Sequence, residues 1–173
     1  MLKPEAAALE VRTVAGALAL PIDVEAIARR RGARVVYEPM ARDLSGLLYR
    51  DGDTVVIGVN SIHAPVRQRF TIAHEVGHLV LHDGRPVVLD HVVRVNFRDP
   101  QSGTATNREE IDANRFAAEL LMPRDLVLDE VRRSQDAGAP MGDQFVRDLA
   151  EGFGVSAAAL TNRLMNLGLL SQL

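Results

Sequence analysis

The sequence predicts an α+β fold, and three observations carry that expectation. Between residues 33 and 60 the runs ARVVYEP, SGLLYRDG and DTVVIGVN are β-rich, and the Asp51-Gly52 pair between the last two is a strong hairpin signal. Directly after them, RQRFTIAHEVGHLVLHDG changes to a helical period. From Asn107 onward the chain reads as helices separated by short breaks. The expected architecture is a small antiparallel sheet with a helix against it over residues 1–123, followed by a small helical lobe over residues 124–173.

Composition bounds what such a fold can do. The 173 residues, 47% of them hydrophobic, suffice for one well-cored domain with a small additional lobe. A charged fraction of 25% and a formal net charge of -3 give no overall field that would draw the chain to nucleic acid or an anionic membrane. With no cysteine, a disulfide framework, a thiolate metal site and a cysteine nucleophile are all excluded, so metal chemistry would have to use nitrogen and oxygen ligands. A cytoplasmic location fits that composition. No apolar run approaches the roughly 20 residues of a membrane span. TVAGALALPI, starting at Thr13, has the residues of a signal peptide, but Glu5 and Glu10 stand where a positive region belongs, which argues against secretion.

Each element can be justified in order. Leu9, Val11, Val14 and Leu18, then Ile22 and Ile27, recur at helical spacing, with Pro21 dividing two short helices and Gly32 closing the second. In the helix after the β-rich region, Phe70, Ile72, Ala73, Val76, Leu79 and Val80 make the apolar side and Gly84 can end it. VVLDHVVRVNF reads as a strand and RDPQSGTATN as a loop. NREEIDANRFAAELLMP reads as a helix capped by Thr106, with Glu109 completing a capping box and Pro123 stopping it.

The chemistry concentrates in HEVGHLVLH, residues 74 to 82. Residues four apart on a helix lie one turn above each other, so the rings of His74 and His78 can converge on one ion. Glu75, rotated by about 100°, is poorly placed as a ligand but well placed to act as general base toward a water at that ion. Zinc suits such a site because imidazole and carboxylate are good ligands and an open fourth position acidifies a water; amide hydrolysis is then the natural reaction. Glu109 and Glu110 on the later helix offer a third ligand. The plainer alternative is a polar stripe on a half-buried helix, with His74 and His78 hydrogen-bonded inside the fold.

RQRFTIAHEVGHLVLH followed by EEIDANRFAAELLMP resembles the ImmA/IrrE family of metallopeptidases, bacterial and phage proteases that cleave a repressor encoded nearby. SGLLYRDGDTVVIGVN and PIDVEAIARRRGARVVYEP are similar to that family too, so the resemblance covers roughly Pro21 to Pro123. It implies a zincin-like domain with zinc, or another divalent ion such as manganese, held by His74, His78 and a glutamate of the second motif, and with Glu75 as catalytic base. The family pattern E-x-[E/D]-A-N-x-F-A-A aligns its first acid with Glu110, and helix geometry favours Glu110 over Glu109 because Glu110 and Asn114 share one face. Asn114, Asp112 and His82 are candidates for orienting the ligands. Tyr37, Tyr49, His63, His91 and Arg69 have ordinary structural readings.

FVRDLAEGFGVSAAALTNRLMNLGLL has helix-turn-helix spacing, with Ala150 in the first helix, Gly154 in the turn, Ser156 as cap, and Leu160 and Leu164 pointing inward. From Asp143 onward the acids Asp143, Asp148 and Glu151 outnumber the cations Arg147 and Arg163, and the second helix carries one cation, which argues against DNA binding. The resemblance implies a protein substrate, an Xre-type helix-turn-helix repressor encoded nearby. Two other readings remain open at this stage: a catalytically silent module that sequesters the repressor, and a DNA-binding regulator with a structural metal.

Overall fold

A computed structural model describes residues 3–17, 19–82, 86–91, 105–138, 140 and 142–170, with the side chains of 89–91 and 105–107 outside that description. Helix α1 (Pro4–Ala15) and helix α2 (Val24–Arg30) precede strand β1 (Ala33–Glu38). Strands β2 (Leu44–Asp51) and β3 (Thr54–Asn60) lead into helix α3 (Pro65–Leu81) and strand β4 (Val87–His91). Helices α4 (Ala105–Leu121), α5 (Arg124–Asp136), α6 (Asp143–Phe153) and α7 (Ala157–Asn166) complete the α+β arrangement.

The β2–β3 hairpin turns at Gly52, whose φ of 55° is one that glycine adopts without steric cost. Strand order is β1-β3-β2-β4, and only the β2 pairings with β3 and β4 are antiparallel. β1 lies beside β3 and parallel to it, so the sheet is mixed and not wholly antiparallel as its sequence suggested. Local alternation specifies a hairpin, whereas the direction of a non-adjacent strand is decided by the connection between them. The first part of that connection, residues 39–43 between β1 and β2, is organised by Asn60, which is fully buried. Its side-chain oxygen accepts from the Met40 and Ile62 amides at 3.1 and 3.2 Å, and its amide donates to the Ala41 and Leu44 carbonyls at 3.0 and 2.7 Å. All that hydrogen bonding replaces water the buried amide has lost.

Helix α1 buries Ala7, Ala8, Val11 and Arg12, while Leu9 and Val14 are 50% and 70% exposed. The larger apolar residues therefore do not mark its inner face, and small alanines there let α1 lie close to α4. Leu18 lies outside the described residues. Helix α2 starts where Asp23 accepts from the Ala26 amide at 2.9 Å. Helix α3 carries Pro65 in its first turn, where the missing N–H costs nothing. Its end falls at His82; Gly84, expected to stop it, lies outside the described residues, as does most of VVLDHVVRVNF and the loop after it. Helix α4 begins at Ala105, so Thr106, expected as its cap, already lies within the helix, and its side chain is outside the description.

One hydrophobic core joins the sheet and the helices, with Leu48, Ile57, Val76, Phe116, Leu120, Phe153, Leu160 and Leu164 all inaccessible to solvent. Each such side chain contributes about 1.5–3 kcal/mol by burial. Helices α5 to α7 share this cluster with α1 to α4. The helix-turn-helix spacing holds: Ala150 is buried, Gly154 has φ 64°, and Ser156 accepts from the Ala159 amide at 3.1 Å. Among the described residues no helix is long and apolar enough to cross a membrane.

Candidate metal centre

Helices α3 and α4 run antiparallel, as their contacts show in sequence: His82 reaches Glu109, His78 reaches Glu110, and His74 reaches Asn114. Gly77 is what lets them approach. A Cβ placed on it would lie 3.1 Å from Ala113 Cα, 3.2 Å from the Ala113 carbonyl oxygen and 3.2 Å from Phe116 Cδ1. A glycine inside a helix costs roughly 1 kcal/mol relative to alanine. Here the sacrifice puts two backbones nearly in contact, and the same closeness brings the α4 side chains over the histidines.

The side chains that converge are His74, His78 and Glu110. Nε2 of His74 and Nε2 of His78 are 3.0 Å apart, and the Glu110 carboxylate oxygens stand 3.2 Å from His74 Nε2 and 3.3 Å from His78 Nε2. His74 and His78 are buried, while the Glu110 side chain is 34% exposed, so the triangle opens on the Glu110 side. Nδ1 of His74 lies 3.0 Å from Asn114 Oδ1; an amide oxygen only accepts, so Nδ1 carries the hydrogen and Nε2 presents a lone pair to the triangle. This is the arrangement of a metal-ligating imidazole held by a partner behind it.

Electrostatics prepare the same state. Burial lowers the His78 pKa, with His74 adding to the shift and a Glu110 hydrogen bond opposing it. Burial alone would raise Glu110, but hydrogen bonds and charge from His74 and His78 outweigh it and hold the carboxyl well below the usual carboxylate range. The Glu110 shift draws on imidazole protons, whereas burial drives such protons off His78. Near neutral pH burial leaves His78 uncharged, and the Glu110 carboxyl is ionised. A neutral imidazole beside a carboxylate is the protonation state that metal binding requires. Two nitrogens and a carboxylate, converging from rigid helices with one side open, could hold a divalent ion.

Glu75 is completely buried on the neighbouring face of α3. Gly46 in β2 lies against it: a Cβ there would overlap Thr71 Cγ2 and come 2.7 Å from the Gly58 carbonyl oxygen, while Glu75 Oε1 would stand at an ordinary contact distance of 3.6 Å. A family model described as the IrrE N-terminal-like domain, peptidase M78, matches residues 28–165. The chain belongs to this family. The match to the IrrE-like family runs from α2 through the sheet and α3–α4 into α7, so it takes in both motifs and most of the C-terminal helices. Membership of the IrrE-like family makes this a metallopeptidase-type domain, and His74, His78 and Glu110 are its candidate ion-holding group. Comparison with curated proteins finds no match.

The other expected residues fall in distinct places. Nε2 of His82 lies 3.1 Å from the Glu109 carbonyl oxygen, so His82 ties the end of α3 to the start of α4 and is outside the converging group, as is the Glu109 side chain. Asn114, and not Asp112, reaches His74. The Tyr37 hydroxyl donates to Glu25 at 2.5 Å and that of Tyr49 to Asp51 at 3.3 Å, so both are engaged away from the site. His63 Nε2 donates to the Arg42 carbonyl at 3.2 Å, and the His91 side chain lies outside the described residues.

Sequence reading passed over Arg50, which reaches from β2 to donate to the His78 carbonyl at 2.7 Å. It also passed over Gly77, whose place inside a strongly helical motif was a signal in itself. Arg69, structural as its sequence context suggests, donates to the Gly154 carbonyl at 3.1 Å and to the Ile22 carbonyl at 2.8 Å, with burial lowering its pKa.

Proposed function

We propose that this chain is a zinc-dependent endopeptidase whose substrate is an Xre-type helix-turn-helix repressor, and that cleavage relieves repression. The observation that supports it best is the convergence of His74 Nε2, His78 Nε2 and the Glu110 carboxylate, with a buried glutamate, Glu75, at the position following the first ligand. The substrate rests on the family resemblance. A bound zinc ion supplies Lewis acidity, both polarising the scissile carbonyl and making a water acidic near neutral pH.

The rest of the chemistry belongs to the chain. Asn114 fixes the tautomer of His74 through Nδ1, and the α3–α4 seam holds the three ligands in place before substrate arrives. Glu75 accepts a proton from the attacking water at its carboxylate. As the water oxygen bonds to the carbonyl carbon and the C–N bond breaks, the same proton passes to the leaving nitrogen, giving one new carboxylate and one new amine. Burial of Glu75 keeps bulk water from competing for that proton. Manganese in place of zinc would use the same ligands.

A DNA-binding role has less support. The cation of α7, Arg163, is buried, pairs with Glu119 and donates to the Met122 carbonyl at 3.0 Å, so it is engaged within the fold. Phosphate contacts need free lysine and arginine.

Incubation of the zinc-loaded protein with the Xre-type repressor encoded beside its gene, read by intact mass, tests the proposal. The expected result is one cut, lost by about 10²–10⁴-fold in Glu75→Gln, the usual worth of a positioned general base. A stable complex with no cut by the unaltered protein would favour sequestration instead.

A further inference from the structure

A cavity of about 280 Å³ opens between the first half of α3 and the start of α7. Val66, Phe70 and Thr71 line it from α3, Val155 and Ala159 from the other side, and Ser45 and Arg67 form its polar rim, joined by an Arg67–Ser45 hydrogen bond of 3.0 Å. No carboxylate lines it. Its floor adjoins the candidate catalytic centre. Thr71 lies one helical turn, about 5.4 Å, before Glu75 on the same face of α3. Both residues border Gly46 of β2, where a Cβ would overlap Thr71 Cγ2 and reach ordinary contact with Glu75 Oε1, and Ser45 is the neighbouring residue of that strand.

The far wall is held rigidly. Arg69 donates to the Gly154 carbonyl at 3.1 Å and to the Ile22 carbonyl at 2.8 Å, pinning the turn before Val155 to α3. Ser156 then caps α7 and fixes where Ala159 stands. A preformed apolar hollow with polar groups beside it, one helical turn from the candidate catalytic carboxylate, is what a specificity subsite requires.

We infer that this cavity receives one large aliphatic side chain, of the leucine type, from the peptide beside the scissile bond. The C-terminal lobe thereby takes part in choosing the substrate. The inference rests on the peptidase reading above for the word substrate, but the cavity's preference for an apolar side chain can be measured without cleavage.

Two measurements on the full-length, zinc-loaded protein separate the possibilities. In the first, acetyl-leucine amide and acetyl-serine amide are titrated into the Glu75→Gln protein and followed by amide NMR. Shifts at Val66, Phe70, Val155 and Ala159 with the leucine compound alone, abolished by adding Ala159→Phe, support the inference. Equal responses to both compounds, or shifts elsewhere, overturn it. In the second, a defined peptide library is digested by the unaltered protein and by Ala159→Phe, with Ala159→Leu as a milder filling should the larger residue unfold the lobe. A preference of at least ~10-fold for leucine over serine at one position flanking the cut, reduced to near parity by the filling variants, is expected.

Cutting with no such preference, or a preference the variants leave intact, would sink the cavity's role while leaving the peptidase standing. Discriminating shifts with no cutting at all would support a side-chain subsite and overturn the peptidase reading.

Discussion

The α3–α4 seam and the α4–α7 seam both bury polar side chains between helices, and they treat them oppositely. On the second, Arg163 meets Glu119 and the Met122 carbonyl, and Glu119 also accepts from the Arg124 amide at 3.0 Å. Every partner there is another part of the fold. On the first, two imidazoles and a carboxylate point at one another across about 3 Å, an arrangement whose three donor atoms share a centre. Burial of polar groups is costly unless they are matched. A seam whose groups match each other serves the fold, whereas one whose lone pairs converge could be matched by an ion brought from outside.

That contrast can be broken by removing one member of each seam. Arg163→Met leaves Glu119 without its cation in a site where both side chains are nearly buried, at 10% and 13% exposure. Loss of one partner of a buried pair costs about 3–5 kcal/mol, and denaturant unfolding should show it, with zinc binding unchanged. A neutral outcome would mean the pair is solvated and the second seam is not structural in the sense argued. Glu110→Ala is the reciprocal change. Zinc affinity, measured against a chromophoric chelator, should fall ~100-fold or more, and a 100-fold fall removes about 2.3 kcal/mol of zinc-linked stabilisation when zinc is held at 100 times the original Kd. Retained affinity would remove Glu110 from the ligand set and reopen the case for Glu109.

How much of this was legible beforehand follows from the range of each interaction. The HEVGH motif placed His74, Glu75 and His78 because four-residue spacing on a helix is local geometry. Glu110 needed the second motif, since nothing within α3 says which part of the chain will lie across from it. The direction of β1 was misjudged for the same reason: its partner β3 is chosen by a connection whose first part is organised by a single buried side chain, Asn60. The contacts of Arg50 and Arg69 went unrecognised because their acceptors are backbone carbonyls, which every residue owns and no sequence pattern marks. The C-terminal turn, by contrast, was read correctly through Gly154 and Ser156, whose roles depend only on their neighbours.

A finer cut at the first seam is Asn114→Ala. Asn114 contacts His74 Nδ1 and takes no place among the converging atoms, so its loss frees the ring's tautomer and orientation without deleting a ligand. Zinc affinity should weaken by about 10–100-fold, less than for Glu110→Ala, and Asn114→Asp, which keeps an acceptor at the same place, should restore most of it. Equal losses for both variants would show that shape, and not the accepted hydrogen bond, is what His74 needs.

The smallest effect belongs to the second seam and asks whether the lobe's stability is separable from the metal centre. Ser156 caps α7 by accepting from the Ala159 amide at 3.1 Å, at an exposed position where water can partly replace it. Ser156→Ala should therefore cost only about 1 kcal/mol, seen as a lower denaturation midpoint with an unchanged dependence on denaturant. Because α7 shares its core with α4 through Leu160 and Leu164, the loss should appear in the single unfolding transition and not as early melting of a separate lobe. Zinc affinity should not move. A distinct low-stability transition for α6–α7 would instead mean that the wall formed by Val155 and Ala159 can detach while the ligands stay in place, and the two seams would then differ in persistence as well as in chemistry.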